Sequence, residues 1–418
     1  MSGEFFASRW VQRPSHVEVA DAGGAALPAG FRAGGAAAGL KYEGALDVGL
    51  LVCDAENAVS AACFTRSGVL AAPVVVTQRA RLDALRVVAA NSGTANAATG
   101  GPGLDAAIAM QAAAGAAAGV PADQVAVAST GVIGVLLDAE LVAAGLARAA
   151  QALRADGGVE LAEAIMTTDA FPKRVSLQVT LASGTVRLSA QAKGAGMIEP
   201  AFATMLCFVQ TDAALRPETA ELLLSVCVQR SFDRISVDGQ LSTNDTAILM
   251  CSGSSGVRVE PETEDELRFG EALDALLRML AIMIVRDGEG ARRIGRIVVR
   301  GGDGETVERC ARAVANSPLV KTALHGADPN WGRIAQAIGA TLRDSAPLAL
   351  DISIEGILVC SGGAAVAHDA DALSAAVAGV EVEYEVGLGL DPAHPAETEL
   401  FFSDLSHEYV TINAEYTT

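Results

Sequence analysis

The segment Lys193–Leu206, KGAGMIEPAFATML, lies near the middle of the chain and contains the strongest candidate for a nucleophile. Two glycines and a proline precede an apolar run, a pattern that predicts a shaped loop leading into a buried segment. Within it, Thr204 follows the small residue Ala203. A Thr freed at a new N-terminus can use its own α-amine as the base, so it needs no histidine. Thr204 is therefore a candidate nucleophile, although buried threonines in ordinary core segments have similar surroundings.

Length and composition predict a globular α/β protein of two or three domains, since the chain has 418 residues and 51% of them are hydrophobic. The net charge of −20 opposes binding to nucleic acid and to anionic membranes. No apolar run is long enough for a membrane span, and the N-terminus lacks a secretory signal. The seven cysteines form no CxxC pair, and the five histidines form no metal-binding cluster. We therefore expect a cytoplasmic protein with reduced thiols and no metal site.

The pattern of apolar residues predicts alternating strands and helices. Leu85–Ala90 is rich in β-formers, whereas Gly103–Gly119 is almost wholly composed of helix-forming residues. Val74–Thr77 is a candidate strand, the first 20 residues are expected to be a frayed extension, and Tyr409–Thr418 alternates like an edge strand. Further helices are predicted at 138–153, 158–166, 216–230, 264–286, 303–316 and 328–338, and further strands at 125–128, 174–181, 185–191, 247–251, 294–299, 349–360 and 379–385.

Two polar turns are candidates for binding an anion or a developing oxyanion. Asn91–Asn96 and Ser129–Gly131 each follow a predicted strand, and such turns expose backbone N–H groups. Most turns of this composition are only turns. Gly288–Gly290 lacks the spacing of a phosphate-binding loop, and no GxSxG elbow indicates a Ser-His-Asp hydrolase.

Eight further motifs follow one another along the chain. They are Asn91–Gly100 (NSGTANAATG), Ser129–Gly134 (STGVIG), Ile165–Asp169 (IMTTD), Ser242–Thr246 (STNDT), Asp287–Gly290 (DGEG), Ser317–Thr322 (SPLVKT), Asp328–Ile334 (DPNWGRI) and the terminal INAEYTT. Together with Lys193–Leu206, they resemble the ornithine acetyltransferase family, the glutamate N-acetyltransferases of arginine biosynthesis called ArgJ. The resemblance extends from about Gly30 to Thr418.

This resemblance implies a layered α/β sandwich of two domains that cleaves itself between Ala203 and Thr204. The products would be an α chain of residues 1–203, with the oxyanion hole, and a β chain of residues 204–418, with the nucleophile and the substrate pocket. Thr204 would take an acetyl group from N2-acetylornithine, and glutamate would then attack the acetyl ester. In the family pattern, Thr130 and Gly131 match the donors that stabilise the oxyanion.

The resemblance also implies a set of substrate contacts: Thr167, Lys193, Thr204, Glu289, Asn413 and Thr418. Lys193 suits the carboxylate of an amino acid and Glu289 suits its amine. The alternatives are solvated surface charges for these two residues and an exposed edge strand for the last two. The resemblance implies no resident cofactor, and the sequence leaves open whether acetyl-CoA is also used as an acetyl donor. Its partners are small amino-acid substrates and its own chains, in an α₂β₂ assembly.

Several positions depart from the common family pattern: Ala170, Gln240, Leu241, Arg292, Arg293, Thr94 and Glu199. None of them removes the nucleophile, but several are close in sequence to the expected pocket. Three alternatives follow. The chain is a paralogue that acylates a different amino acid in secondary metabolism, an N-terminal-nucleophile amidase, or an inactive amino-acid-binding relative. An amidase would release acetate from the donor when no acceptor is present.

Overall fold

The computed structural model describes residues 5–199, 205–390 and 393–415. The strands in these residues are β1 (Val17–Asp21), β2 (Phe31–Ala36), β3 (Val48–Cys53), β4 (Val59–Phe64), β5 (Val87–Thr94), β6 (Val125–Val132), β7 (Lys173–Leu181), β8 (Gly184–Lys193), β9 (Leu206–Thr211), β10 (Ile235–Ser236), β11 (Thr246–Cys251), β12 (Ile294–Gly302), β13 (Asp351–Ile354), β14 (Ile357–Ser361), β15 (Ala364–Ala365), β16 (Glu381–Gly387) and β17 (Ala396–Ser403). The helices are α1 (Ala72–Thr77), α2 (Gly100–Ala118), α3 (Ala139–Gln151), α4 (Gly158–Ala164), α5 (Pro217–Arg230), α6 (Glu264–Arg286), α7 (Gly304–Ala315), α8 (Pro318–His325), α9 (Trp331–Thr341), α10 (Ala370–Ala376) and α11 (His407–Glu415).

Strands β1 to β9 and β11 form a first α/β region, in which two sheets face each other. One has six strands in the order β1-β7-β8-β9-β11-β4, and the other has four in the order β2-β3-β5-β6. Phe208 and Met250 of the six-stranded sheet share a buried core with Leu51, Val88 and Ala128 of the four-stranded sheet. Because successive side chains of a strand alternate between faces, each sheet has a second apolar face to cover.

Helices cover both outer faces. Met110 of α2 and Leu146 of α3 pack on the four-stranded sheet, and Leu224 of α5 and Leu276 of α6 pack on the six-stranded sheet. Helix α6 is capped at its N-terminus, because the Thr263 side chain accepts a hydrogen bond from the Glu266 N–H. The order of layers is therefore helix, sheet, sheet, helix, which confirms the predicted layered α/β sandwich.

The seven-stranded sheet forms a second α/β region with its own core. Its strand order is β10-β17-β12-β16-β13-β14-β15, and helices α7 and α9 pack over it. Helix α6 also contacts this sheet, because Arg278 pairs with Glu399 at 2.7 Å and lies over the Phe401 ring. The segment before β1 contacts the same sheet, since the Trp10 and Phe401 rings lie 5.5 Å apart, so helix α6 and this segment both join the two regions.

The predicted α and β chains share the six-stranded sheet. Strand β8 lies before residue 203, whereas β9 and β11 lie after it, and β8 pairs with β9 from Leu188↔Thr211 to Lys193↔Leu206. Strand β11 pairs with β4 on its other side. A cut between residues 203 and 204 would leave both products hydrogen-bonded in one sheet. The division itself remains a prediction.

Several local predictions are wrong. Val74–Thr77 belongs to helix α1, because a short apolar run has no periodicity that separates a strand from a buried helix. Tyr409–Glu415 is helical rather than an edge strand, with Asn413 Nδ2 donating to the Tyr409 carbonyl one turn earlier. Residues 5–20 are packed rather than frayed, since Phe5 and Val11 are buried and β1 pairs with β7. Helix α8 and strand β17 are additional elements that the sequence patterns did not indicate.

All seven cysteines lie in the described residues, and none is paired. Burial raises the pKa of the Cys53, Cys63 and Cys310 thiols to about 11. These thiols are therefore protonated and unreactive near neutral pH. Across residues 5–199, 205–390 and 393–415, no helix is both long and apolar enough to cross a membrane.

Candidate active site

The two polar segments predicted to be turns that bind an anion are instead mostly strand, because β5 continues to Thr94 and β6 to Val132, and their ends lie side by side. β5 and β6 pair from Val87↔Val125 to Gly93↔Gly131, where the register shifts. Gly131 has a φ of 127°, and a Cβ there would collide with the backbone of Gly93. Only glycine fits this approach, because L side chains rarely adopt such a φ. This end of β6 can therefore present the Gly131 N–H group without a side chain of its own in front of it.

The STNDT motif contacts both of these strand ends. The Asn244 side-chain amide donates to the Ala95 carbonyl at 2.7 Å and to the Ser129 carbonyl at 2.9 Å. Between the two strands, the Ser129 hydroxyl donates to Asn91 Oδ1 at 2.6 Å. All of these groups are buried, so each bond forms where water does not compete. Three motifs that are far apart in sequence thus converge on one place.

Lys193 lies at the end of β8 and reaches this place. Its Nζ donates to Thr167 Oγ1 at 2.8 Å and to Thr130 Oγ1 at 3.2 Å, and Asp169 is 3.8 Å away. The Lys193 residue is only 2% exposed, so the alternative of a solvated surface charge is wrong. Burial lowers the pKa of its ammonium group, and the Asp169 carboxylate opposes that shift. The structure brings Thr130, Thr167 and Lys193 together.

Glu289 and Asn413, two further predicted substrate contacts, lie next to each other. Asn413 Nδ2, on exposed helix α11, donates to Glu289 Oε2 at 2.6 Å. The Glu289 N–H donates to the Ala195 carbonyl at 3.0 Å, and the Glu289 carboxylate packs against Gly196, where a Cβ would lie 2.6 Å from its Cδ. The loop that follows Lys193 therefore lies beside Glu289 and Asn413 as well as beside Thr167 and Thr130.

A buried ion cluster lies behind these residues. Lys173 Nζ donates to Asp169 Oδ1 at 2.7 Å and to Asp287 Oδ2 at 2.6 Å. Asp169 also accepts the Gly194 N–H at 2.7 Å. Although burial favours the neutral acid, Lys173 and Lys193 hold the pKa of Asp169 below its usual range. For Asp287, burial outweighs Lys173 and raises the pKa.

The chain after the predicted cleavage site is held by the STNDT motif. The Met205 N–H donates to Asp245 Oδ1 at 3.0 Å, and the Thr246 N–H donates to the Met205 carbonyl at 3.1 Å. Burial raises the pKa of Asp245 well above its usual value. The predicted cleavage residues Ala203 and Thr204 and the predicted contact Thr418 lie outside the described residues.

Sequence reasoning missed several residues of this site. Asp169, Asp245 and Asp287 stand inside motifs that the sequence analysis quoted, so their motif positions were an available signal. Asp238, which accepts the Met197 and Ile198 N–H groups at 2.6 and 2.9 Å, lies just before the STNDT motif. Lys173 stands at the start of an ordinary alternating strand and gives no local signal.

The family is decided by comparison with known sequences. The profile of the ArgJ family matches residues 32–418. The chain belongs to the ArgJ family. Among its relatives, the arginine biosynthesis bifunctional protein ArgJ of Nitratidesulfovibrio vulgaris is 42% identical, over 94% of this chain and 99% of its own. The protein of the same name from Symbiobacterium thermophilum is also 42% identical, over 95% of this chain and 99% of its own.

Solved ArgJ structures match about half of this chain. Ornithine acetyltransferase from Mycobacterium tuberculosis, solved in complex with ornithine, is 39% identical with a TM-score of 0.41, and it covers 45% of this chain and 99% of its own. ArgJ from Bacillus halodurans is 34% identical with a TM-score of 0.39, and it covers 45% of this chain and 98% of its own.

The departures from the ArgJ pattern leave the backbone contacts of the site in place. The Ala170 N–H donates to Asp287 at 3.1 Å, the Gln240 N–H to Asp238 at 3.1 Å and the Arg292 N–H to Asp404 at 3.0 Å. Any residue other than proline can make these bonds. The side chains of Gln240 and Arg292 are exposed, so these substitutions change the surface near the site and not its buried frame.

Proposed function

We propose that this protein transfers an acetyl group from N2-acetyl-L-ornithine to L-glutamate through an acetyl ester of Thr204. Its class, an acyltransferase of arginine biosynthesis, follows from its place in the ArgJ family, whose relatives match across nearly the whole chain. The observation that carries the finer proposal is the buried Lys193 ammonium bonded to both Thr130 and Thr167, with Glu289 beside the same loop. A cation, an anion and backbone donors near one another suit an amino acid with an acyl group.

Self-cleavage comes first in this mechanism. The Thr204 hydroxyl attacks the Ala203 carbonyl, so an Oγ–C bond forms, the C–N bond breaks and the hydroxyl proton passes to the Thr204 nitrogen. Water then hydrolyses the ester and leaves a carboxylate on Ala203. The freed α-amine of Thr204 becomes the base for later steps. Hydrogen bonds to Met205 hold the chain directly after this residue.

Acetyl transfer then takes place in two steps. The Thr204 hydroxyl attacks the acetyl carbonyl of the donor, its proton passes to the leaving amine, and ornithine departs. The amine of glutamate attacks the acetyl ester, and its proton returns to the Thr204 hydroxyl. In both steps the carbonyl oxygen becomes an oxyanion, which Thr130 and the Gly131 N–H stabilise.

Substrate recognition uses the remaining predicted contacts. Lys193 and Thr167 bind the carboxylate end of the substrate. Glu289, Asn413 and Thr418 bind the end that carries its amine. No resident cofactor is required, and acetyl-CoA is proposed as an alternative acetyl donor. We also propose that the α and β chains assemble as α₂β₂, in the cytoplasm.

Initial rates measured at several concentrations of both substrates test the two-step transfer. Double-reciprocal plots for N2-acetylornithine and glutamate should give parallel lines, since ornithine leaves before glutamate binds. Lines that intersect to the left of the axis would show that both substrates bind together and would contradict the acetyl-enzyme. A reaction that contains the donor without any acceptor distinguishes an amidase from a transferase. Only an amidase would release acetate at its full rate under this condition.

Glu289→Gln tests the amine contact. The carboxamide keeps the size of the side chain but loses the charge, and a hydrogen bond to a charged group contributes about 1.5–3 kcal/mol. We expect KM for N2-acetylornithine to rise roughly tenfold or more, with the fold unchanged in circular dichroism. Glu305→Gln on helix α7, where the Glu305 side chain is 83% exposed, is the matched control and should keep KM. An unchanged KM in Glu289→Gln would remove Glu289 from the site.

A second candidate is transfer to a different amine acceptor. The observation in its favour is Gln240, which stands where the family pattern has Asp and lies directly beside Asp238, the residue that holds Met197 and Ile198. An acceptor screen with N2-acetylornithine as donor decides between the two. A far higher kcat/KM for another amine than for glutamate would leave the Thr204 chemistry in place and replace the acceptor.

A further inference from the structure

Lys173 is a fully buried cation that bridges two carboxylates distant in sequence. Its side chain is 0% exposed, and those of Asp169 and Asp287 are 0% and 3% exposed. The ammonium lies 2.7 Å from Asp169 and 2.6 Å from Asp287. No substrate can reach Lys173 without unfolding the region around it, so Lys173 is not a substrate contact.

Each carboxylate that Lys173 holds is close to a predicted substrate contact. Asp169 stands two residues after Thr167, accepts the Thr167 N–H at 3.1 Å and accepts the N–H of Gly194, the residue after Lys193, at 2.7 Å. Asp287 stands two residues before Glu289. Lys173 therefore links the segments that carry the cation Lys193 and the anion Glu289.

Stability alone does not account for this cluster. Removing three charged groups from water costs free energy, and replacing buried ion clusters by apolar residues is often neutral or stabilising. The cluster does fix distances, because each carboxylate is held both by Lys173 and by a backbone N–H. Such bonds lose strength quickly when their atoms separate.

We propose that Lys173 is a positioning residue that sets the spacing between Lys193 and Glu289 and thereby selects the length of the donor side chain. The inference rests on the proposed function, in which Lys193 and Glu289 bind the carboxylate side and the amine of N2-acetylornithine. A rigid spacing favours one length of carbon chain, whereas a loosened one accepts neighbours that are one methylene shorter or longer.

The test compares three donors, N2-acetyl-2,4-diaminobutyrate, N2-acetylornithine and N2-acetyllysine, in the wild type and two variants. Lys173→Met removes the ammonium partner of Asp287 and leaves Asp169 with Lys193 at 3.8 Å, so it should lower Tm. Lys173→Met combined with Asp287→Asn removes one negative charge as well, and it should recover much of that Tm while the bridge stays absent. Lys321→Met is the control for loss of a buried lysine, since Lys321 Nζ donates to the Ser403 carbonyl at 2.6 Å, outside this cluster.

In the wild type we expect kcat/KM for N2-acetylornithine to exceed that of both neighbours by about tenfold or more, the usual effect of one methylene. In the double variant this preference should fall to about threefold or less. A double variant that recovers both Tm and the full preference would overturn the inference, as would a wild type without any preference. Absence of acetyl transfer in the wild type would overturn the proposed function and this inference with it, whereas transfer with unchanged selectivity in the double variant would overturn the inference alone.

Discussion

Thr204→Ala is expected to remain a single uncleaved chain without acetyl transfer. Alanine has no hydroxyl to attack the preceding carbonyl, so neither the cleavage nor the acetyl ester can form. Loss of a covalent nucleophile typically lowers kcat by about 10⁴-fold or more. Denaturing electrophoresis and intact mass report the cleavage, and a coupled assay for ornithine release reports turnover.

Thr204→Ser is the control for this prediction. It keeps the hydroxyl and loses one methyl group, so it should still cleave, at a reduced rate. Neither change should unfold the protein, since each removes very little from the side chain. A Thr204→Ala protein with normal turnover would show that another residue is the nucleophile.

Thr130→Val is expected to lower kcat by about 10²–10³, the typical effect of removing one oxyanion donor. Valine has nearly the shape of threonine, and Lys193 keeps Thr167 and Asp169 as partners. Single-turnover formation of the acetyl-enzyme isolates the step in which the oxyanion develops. The loss should therefore appear in that rate and not in the KM of the donor.

Thr167→Val is the matched comparison, because the Thr167 and Thr130 hydroxyls both accept a hydrogen bond from Lys193. As a substrate contact, Thr167 should affect mainly the KM of the donor. If both valine variants lowered kcat equally with KM unchanged, Thr130 would have no separate role at the oxyanion and the predicted hole would be wrong.

The elements that could be predicted from sequence are those with strong local signals. The run 264–286 has a capping Thr263, acidic residues in its first turn and an apolar surface, and helix α6 has the same bounds. The segment Tyr409–Glu415 lacked such a signal. Its alternating pattern fits a strand over a few residues, whereas the structure has His407–Glu415 as helix α11, from which the Asn413 side chain contacts Glu289.

The site could be predicted where family motifs carry it and not where tertiary packing creates it. Thr130, Thr167 and Lys193, which the motifs single out, lie in contact with one another, and Glu289 contacts Asn413, whereas their roles stay predictions. Lys193 meets Thr130 of strand β6 and the segment that holds Thr167 and Asp169, an approach of distant segments that no local pattern encodes. The same is true of Lys173, whose partners lie 4 and 114 residues away.

The acetyl-Thr204 intermediate can be tested by mass spectrometry of the protein after brief exposure to N2-acetylornithine without an acceptor. The proposed mechanism predicts two fragments, one beginning at Thr204, and only that fragment should become heavier by one acetyl group, located on Thr204 by peptide mapping. Addition of glutamate should remove the acetyl group and yield N-acetylglutamate. An active protein that stays in one piece, or one that transfers acetyl while Thr204 remains unmodified under every condition of rapid quench, would contradict it.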